Sequence, residues 1–165
     1  MDNKVFLKGV SMNDKEFNLI ISNILINPEI LRMNSFRQHY NVSTFEHAYK
    51  VSYYMYKICK KLGLDYVAGA RAGLLHDFYL YDWREKSNWH RFHAFKHGNF
   101  AFKNAIKHFN LSLKERDMIR KHMWPVTFSL PRYKETYLLT FVDKYCALLE
   151  AFNYYKGIWK NKKRD

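Results

Sequence analysis

Proline, glycine and cysteine are scarce in this chain. Its 165 residues hold 3 Pro, 6 Gly and 2 Cys. So few turn-forming residues disfavour a β-sandwich or barrel, which needs a turn every few residues. Two cysteines, Cys59 and Cys146, make neither a CxxC pair nor a zinc-knuckle spacing. A disulfide framework is excluded with them. Each cysteine sits beside apolar positions, and buried free thiols are expected. Long apolar runs are also lacking, and none approaches a membrane span. The N-terminus, Met1-Asp2-Asn3-Lys4, has no apolar core of a signal peptide behind it. These features predict a cytoplasmic protein that does not cross a membrane. Acidic residues are few, at 15 against 28 Lys and Arg, which leaves a net charge of +13. The excess reads either as a genome's base bias or as attraction of a polyanion, a phosphorylated metabolite or nucleic acid. Part of it lies in residues 156–165, which read as a solvated basic tail.

What is plentiful is apolar and aromatic, with 48% hydrophobic residues, 13 Tyr, 13 Phe and 4 Trp. That is enough for one domain with a real core. The apolar residues recur at helical spacing. Phe17, Ile20, Ile21, Ile24 and Leu25 mark a helix over about 13–27, and Pro28 can start a short one. Ser43-Thr44-Phe45-Glu46 is a capping box that opens a helix at about residue 44, with Gly63 at its end. Asp65 caps the next helix, which is expected to run to about Phe78. Residues 36–42 and 79–93 read as loops, and a loop as long as the second is often functional. Helices are expected over about 95–109, from a second capping box at Ser112–Glu115 to about Met123, and over about 134–156. No segment alternates well enough to predict a sheet. The expected fold is all-α: a single-domain bundle of about six to seven helices.

Eight histidines are many for this length. Several lie beside apolar helical residues, where a lone imidazole is costly to bury. Taken alone, His47 reads as a core histidine bonded to a carbonyl. His76-Asp77 closes an apolar helix, and an unpaired buried Asp77 would be expensive. Neighbouring helical residues differ by about 100°, so both side chains can flank one ion. Asp143 is a carboxylate inside an apolar helix; alone it reads equally as an ion pair with Lys144 or a nearby arginine.

Thr44-Phe45-Glu46-His47, Leu74-Leu75-His76-Asp77 and Phe141-Val142-Asp143-Lys144 together resemble the HD superfamily of phosphohydrolases. The order is a histidine, a His-Asp pair and a distant aspartate on successive helices. The likeness covers about residues 37–152 and leaves the helices of 13–33 outside. It is nearest to small stand-alone bacterial HD proteins, through Leu74–Trp83 and Lys121–Pro125. The resemblance implies a bundle that holds a divalent transition metal (Fe, Mn, Co, Ni or Zn) through His47, His76, Asp77 and Asp143. Some branches add two histidines and a second ion, and His97 and His122 stand in suitable places. Substrate binding or helix-end hydrogen bonding are the other readings of that pair. Gly98 stands where such relatives often have proline; either residue can open a helix.

The reaction so implied is hydrolysis of a phosphate ester, with hydroxide supplied by a metal-bound water near neutral pH. Asp77 would bridge two ions and orient the nucleophile. Lys144 would contact a phosphate oxygen, or pair with Asp143 or Glu150. The 79–93 loop reads as a lid whose Arg84, Lys86, His90, Arg91 and His93 hold phosphate, or as a solvated loop. His39 is a candidate for lining the pocket, whereas Arg71 and His108 read as remote from it. Three functions stay open: a hydrolase of a nucleotide or related small phosphorylated metabolite, a phosphodiesterase on a cyclic dinucleotide or RNA, and a non-catalytic nucleotide or nucleic-acid binding module. A small phosphorylated substrate is favoured over nucleic acid as partner, and the oligomeric state is open.

Overall fold

The computed structural model describes residues 14–84 and 93–162, with side chains over 14–84 and 95–159. Seven α-helices account for most of it. α1 (Lys15–Leu25) starts where the Asp14 side chain accepts from the Phe17 N–H, and it buries Phe17, Ile21 and Ile24 along one face. Asn27 caps the short α2 (Pro28–Arg32), with proline in its first turn. A 3-10 turn over Met33–Ser35 leads into a small antiparallel hairpin, β1 (Arg37–His39) and β2 (Val42–Ser43). Tyr40, in the turn between them, has φ +51°. The sequence predicts only a loop here. Strands of two and three residues are too short to display the alternation by which a strand is read.

The Ser43–Glu46 capping box is present and opens α3 (Thr44–Leu62), which stops at Gly63 in the left-handed region. Asp65 caps α4 (Tyr66–Leu75). This helix ends three residues before the expected Phe78, so His76 is its C-cap and Asp77 lies in the following turn. α5 (His93–His108) begins slightly earlier than expected, and Ser112 with Glu115 caps α6 (Leu113–Lys121). α7 (Lys134–Lys162) continues past the expected end, so the backbone of Lys156, Lys160 and Lys162 belongs to a helix and not to a tail. Among the described residues no helix is long and apolar enough to cross a membrane.

α3 and α4 make the most intimate packing. A row of small residues on α4, from Ala68 to Gly73, lets the backbones approach, and the Ser52 hydroxyl donates to the Ala70 carbonyl at 2.6 Å. A Cβ on Gly73 would stand 2.7 Å from the Ser52 Cα. Gly73→Ala is therefore expected to destabilise the protein. Overpacking against backbone costs roughly 1–3 kcal/mol, more than the roughly 1 kcal/mol that alanine gains in helix propensity. Urea unfolding should show a lower midpoint. Around this pair, Ile21, Met55, Leu74, Phe78, Met118, Ile119 and Val142 fill one continuous core. Both cysteines are free and buried in it. Arg71 donates to Glu115, Asn23 and the Asn110 carbonyl, tying α4 to α6 and α1.

Candidate metal centre

Three helices meet at one buried point. α3 supplies His47, the end of α4 supplies His76 and Asp77, and α7 supplies Asp143. One ligand atom from each lies within 4.8 Å of all the others. His47 Nε2 stands 3.0 Å from Asp143 Oδ1, and His76 Nε2 stands 3.3 Å from Asp77 Oδ2 and 3.6 Å from Asp143 Oδ1. Hydrogen bonds on the far side of each ring aim these atoms. His76 Nδ1 donates to the Gly73 carbonyl at 2.8 Å, and His47 Nδ1 faces the Glu150 carboxylate at 3.1 Å. A neutral imidazole that donates from Nδ1 presents a bare lone pair at Nε2. His76 Nε2 is fully buried and lacks a hydrogen-bond partner among the described residues. Bare nitrogen lone pairs converging on carboxylate oxygens repel unless a proton or a cation lies between them. The carboxylate–histidine arrangement of Glu150 and His47 is the usual outer support of a metal ligand.

A second group adjoins the first through Asp77. Its other oxygen, Oδ1, lies 3.3 Å from His97 Nε2 on α5 and 3.6 Å from His122 Nε2 at the end of α6. The two imidazole Nε2 atoms are 2.8 Å apart. His122 Nδ1 lies 2.9 Å from the Ile119 carbonyl and donates to it, which again turns a lone pair inward. Asp77 Oδ1, like His76 Nε2, is buried without a hydrogen-bond partner among the described residues. Gly98 does not open α5, as the sequence suggests; it lies inside the helix. A Cβ there would meet the Arg120 carbonyl at 3.1 Å and the His122 ring at 3.4 Å. The glycine lets α5 close onto the end of α6, which brings His97 to His122.

The electrostatics follow from burial. Desolvation disfavours a charged imidazole at His47, but Asp143 and Glu150 outweigh it and raise the pKa to about 9. At His76 the same contest, won by Asp77 and Asp143, ends at about 10. The facing imidazoles hold Asp77 and Asp143 well below the usual carboxylate range despite their burial. His122 goes the other way, to about 3, because burial and the neighbouring His97 and His76 all oppose its charge. Without metal, the first group therefore carries protons where a cation would sit. The residues fit a transition ion by donor type, by aim and by buried negative charge.

Three supporting residues escape a reading of the sequence. Gln38, on β1, donates from Nε2 to Asp77 Oδ2 at 2.6 Å and accepts from the Tyr79 hydroxyl. Tyr79 is fully buried, although it begins the segment read as a loop. Glu150 is the third. It lies seven residues after Asp143 and so on the same face of α7, a spacing that could have revealed it. Its partner is Lys50, at 3.2 Å, and not Lys144. Glu150→Gln is expected to weaken metal binding roughly 10–100-fold without unfolding the chain, as loss of an outer support does. Competition with a coloured chelator measures this.

The remaining candidates are scattered. His39 is half-buried, with its ring 5.4 Å from His47, and joins His47 and Glu150 in a third close group. Lys144 is largely exposed, with Nζ 3.7 Å from Asp143 Oδ2. Arg84 forks onto Asp82 at the surface. His108 is exposed beside Phe78. Lys86, His90 and Arg91 lie outside the described residues, as does the side chain of His93, which begins α5. The comparisons with known proteins add no family: no protein-family model, curated protein or solved structure matches the chain. The geometry itself defines a helical domain with a buried His/Asp centre able to hold metal.

Proposed function

We propose that this protein is a metal-dependent hydrolase of phosphate esters, built on a scaffold of the HD type. The observation that carries the reading is the division of Asp77: one oxygen faces His76, and the other faces His97 and His122. A carboxylate so placed can serve two ions at once. Nitrogen and oxygen ligands suit Mn, Fe, Co, Ni or Zn. Ions held there would supply activated water and neutralise phosphoryl oxygens. The chain's own part is to fix the ligand geometry. Gln38 and Tyr79 orient Asp77, and Glu150 orients His47. Lys144 is exposed beside Asp143, and in this reading it would meet the anionic substrate. The substrate class is a nucleotide or another small phosphorylated metabolite, which the strongly basic chain would attract.

The shared Asp77 also favours a second reading, hydrolysis of a phosphodiester in a cyclic dinucleotide or RNA. The test is turnover of monoester and diester panels by Mn- or Fe-loaded protein, beside His122→Ala. That variant removes one ligand of the second group. Loss of an outer support alone costs roughly 10–100-fold, so loss of a ligand should lower the rate by about two orders of magnitude or more. Metal content should fall to one ion per chain. A metal-loaded protein that turns over neither class, yet binds nucleotide or nucleic acid with strong salt dependence, would replace the hydrolase with a binding module.

A further inference from the structure

α7 has two contrasting faces. Its inward face carries Asp143 and Glu150 to the metal centre. Phe141, Tyr145, Leu148, Phe152, Tyr155 and Trp159 recur along the same helix at alternating steps of four and three. Two residues along a helix correspond to about 200° of rotation, so Phe141 lies opposite Asp143 and Leu148 opposite Glu150. The stripe faces outward: its members are 65%, 52%, 70%, 63%, 60% and 67% exposed, in that order. Six large apolar side chains in one line are not the scattered exposure that a surface tolerates.

We propose that this outward face of α7 is a homodimer interface, through which two copies of the chain pair helix to helix. The alternating four-three step is the repeat of a helix that packs along another helix. The stripe runs for about 27 Å at 1.5 Å per residue, the length of a full helix–helix seam. At about 150–250 Å² for each large side chain, the exposed fractions offer roughly 570–940 Å² per copy. Ile158 and Tyr154, also exposed, flank the stripe. A stable interface takes about 800 Å² per partner, which the face nearly supplies by itself. Charge beside the stripe is sparse. Lys144 and Lys156 stand near its two ends, and half-buried Leu149 and Ala151 line the middle. Tyr154 and Tyr155 rest partly on Tyr40 of the hairpin turn, and Tyr145 on Tyr54, yet residues 152–159 all stay exposed and leave area for further cover. A second α7 would supply that cover.

This inference does not depend on the reaction at the metal centre. Sedimentation velocity of the full-length protein tests it, beside the double variant Leu148→Glu, Phe152→Glu. The expected result is a two-chain mass for the wild type and a twofold loss of mass in the variant, with helix content and metal content unchanged. As a second measure, Leu148→Cys should give a covalent dimer with a short bis-maleimide, because both native cysteines are buried. A double variant that stays dimeric overturns the proposal by placing the interface elsewhere. A monomeric wild type also overturns it; its co-sedimentation with phosphatidylserine vesicles would assign the face to a lipid surface instead.

Discussion

Asp77→Asn protein is expected to fold, to bind neither ion and to lose hydrolysis almost completely. Asp77 is the one residue common to both ligand groups. Asparagine keeps the volume, and its carbonyl can still accept from Gln38. Its amide then presents N–H donors towards the inward imidazole nitrogens, where a cation needs a negative oxygen. The second group keeps only His97 and His122, two neutral donors without a carboxylate. Removing this buried charge also frees His76 from its main support, so its pKa falls back towards the usual histidine range. Activity should drop more than about 1000-fold, beyond the roughly 10–100-fold that follows loss of an outer support. Elemental analysis and circular dichroism on the same sample separate metal loss from unfolding. A variant that keeps both ions would refute the sharing of Asp77.

The second large effect is on heat stability and its dependence on pH. His47 and His76 sit above their ordinary 6.5, at about 9 and about 10. In metal-free protein, a raised histidine adds stability that is fully present below pH 6.5 and is lost as pH climbs through 9 to 10. Metal-free protein should therefore melt lower at pH 10 than at pH 7. Metal binding has the opposite sign, since an ion in the first group must displace those protons. Affinity should rise with pH over this window, by as much as about 100-fold per unit if two protons leave. At neutral pH, free ion at about 1,000 times its Kd adds about 4 kcal/mol, or roughly 8–16 °C in melting temperature for a chain of this size. Thermal scans with and without Mn or Zn measure both trends. A melting curve indifferent to every ion tried would argue that protons alone occupy the centre.

The ligands were legible in the sequence where they break a pattern. His76-Asp77 stood out unaided, whereas His47 alone read as a core histidine and Asp143 equally as an ion pair; the resemblance joined the four, and the structure gathers them. His97 and His122 could be placed only by resemblance, yet the fold brings them to the same carboxylate. The helix starts at Ser43, Asp65 and Ser112 were legible because a capping side chain acts within three residues of its partner. What the sequence concealed depends on contacts between distant segments. Gln38 lies in a hairpin too short to show a period, and it meets Asp77 only after α4 has packed. Tyr79 is buried by the same packing. Gly98 reads as a helix opener until the closeness of α5 to α6 is seen. The end of α7 was set too early because the helix runs on through Gly157, whose cost of about 1 kcal/mol does not stop it.

The central claim is that the buried His/Asp cluster is a metal centre. Elemental analysis of wild-type protein, purified without air or chelator and then reloaded with Mn or Fe, tests it most directly. The predicted result is two transition-metal equivalents per chain, with the ion at His47 and His76 released as falling pH returns their protons. Protein that holds no metal after reloading, while its helix content is intact, would contradict it.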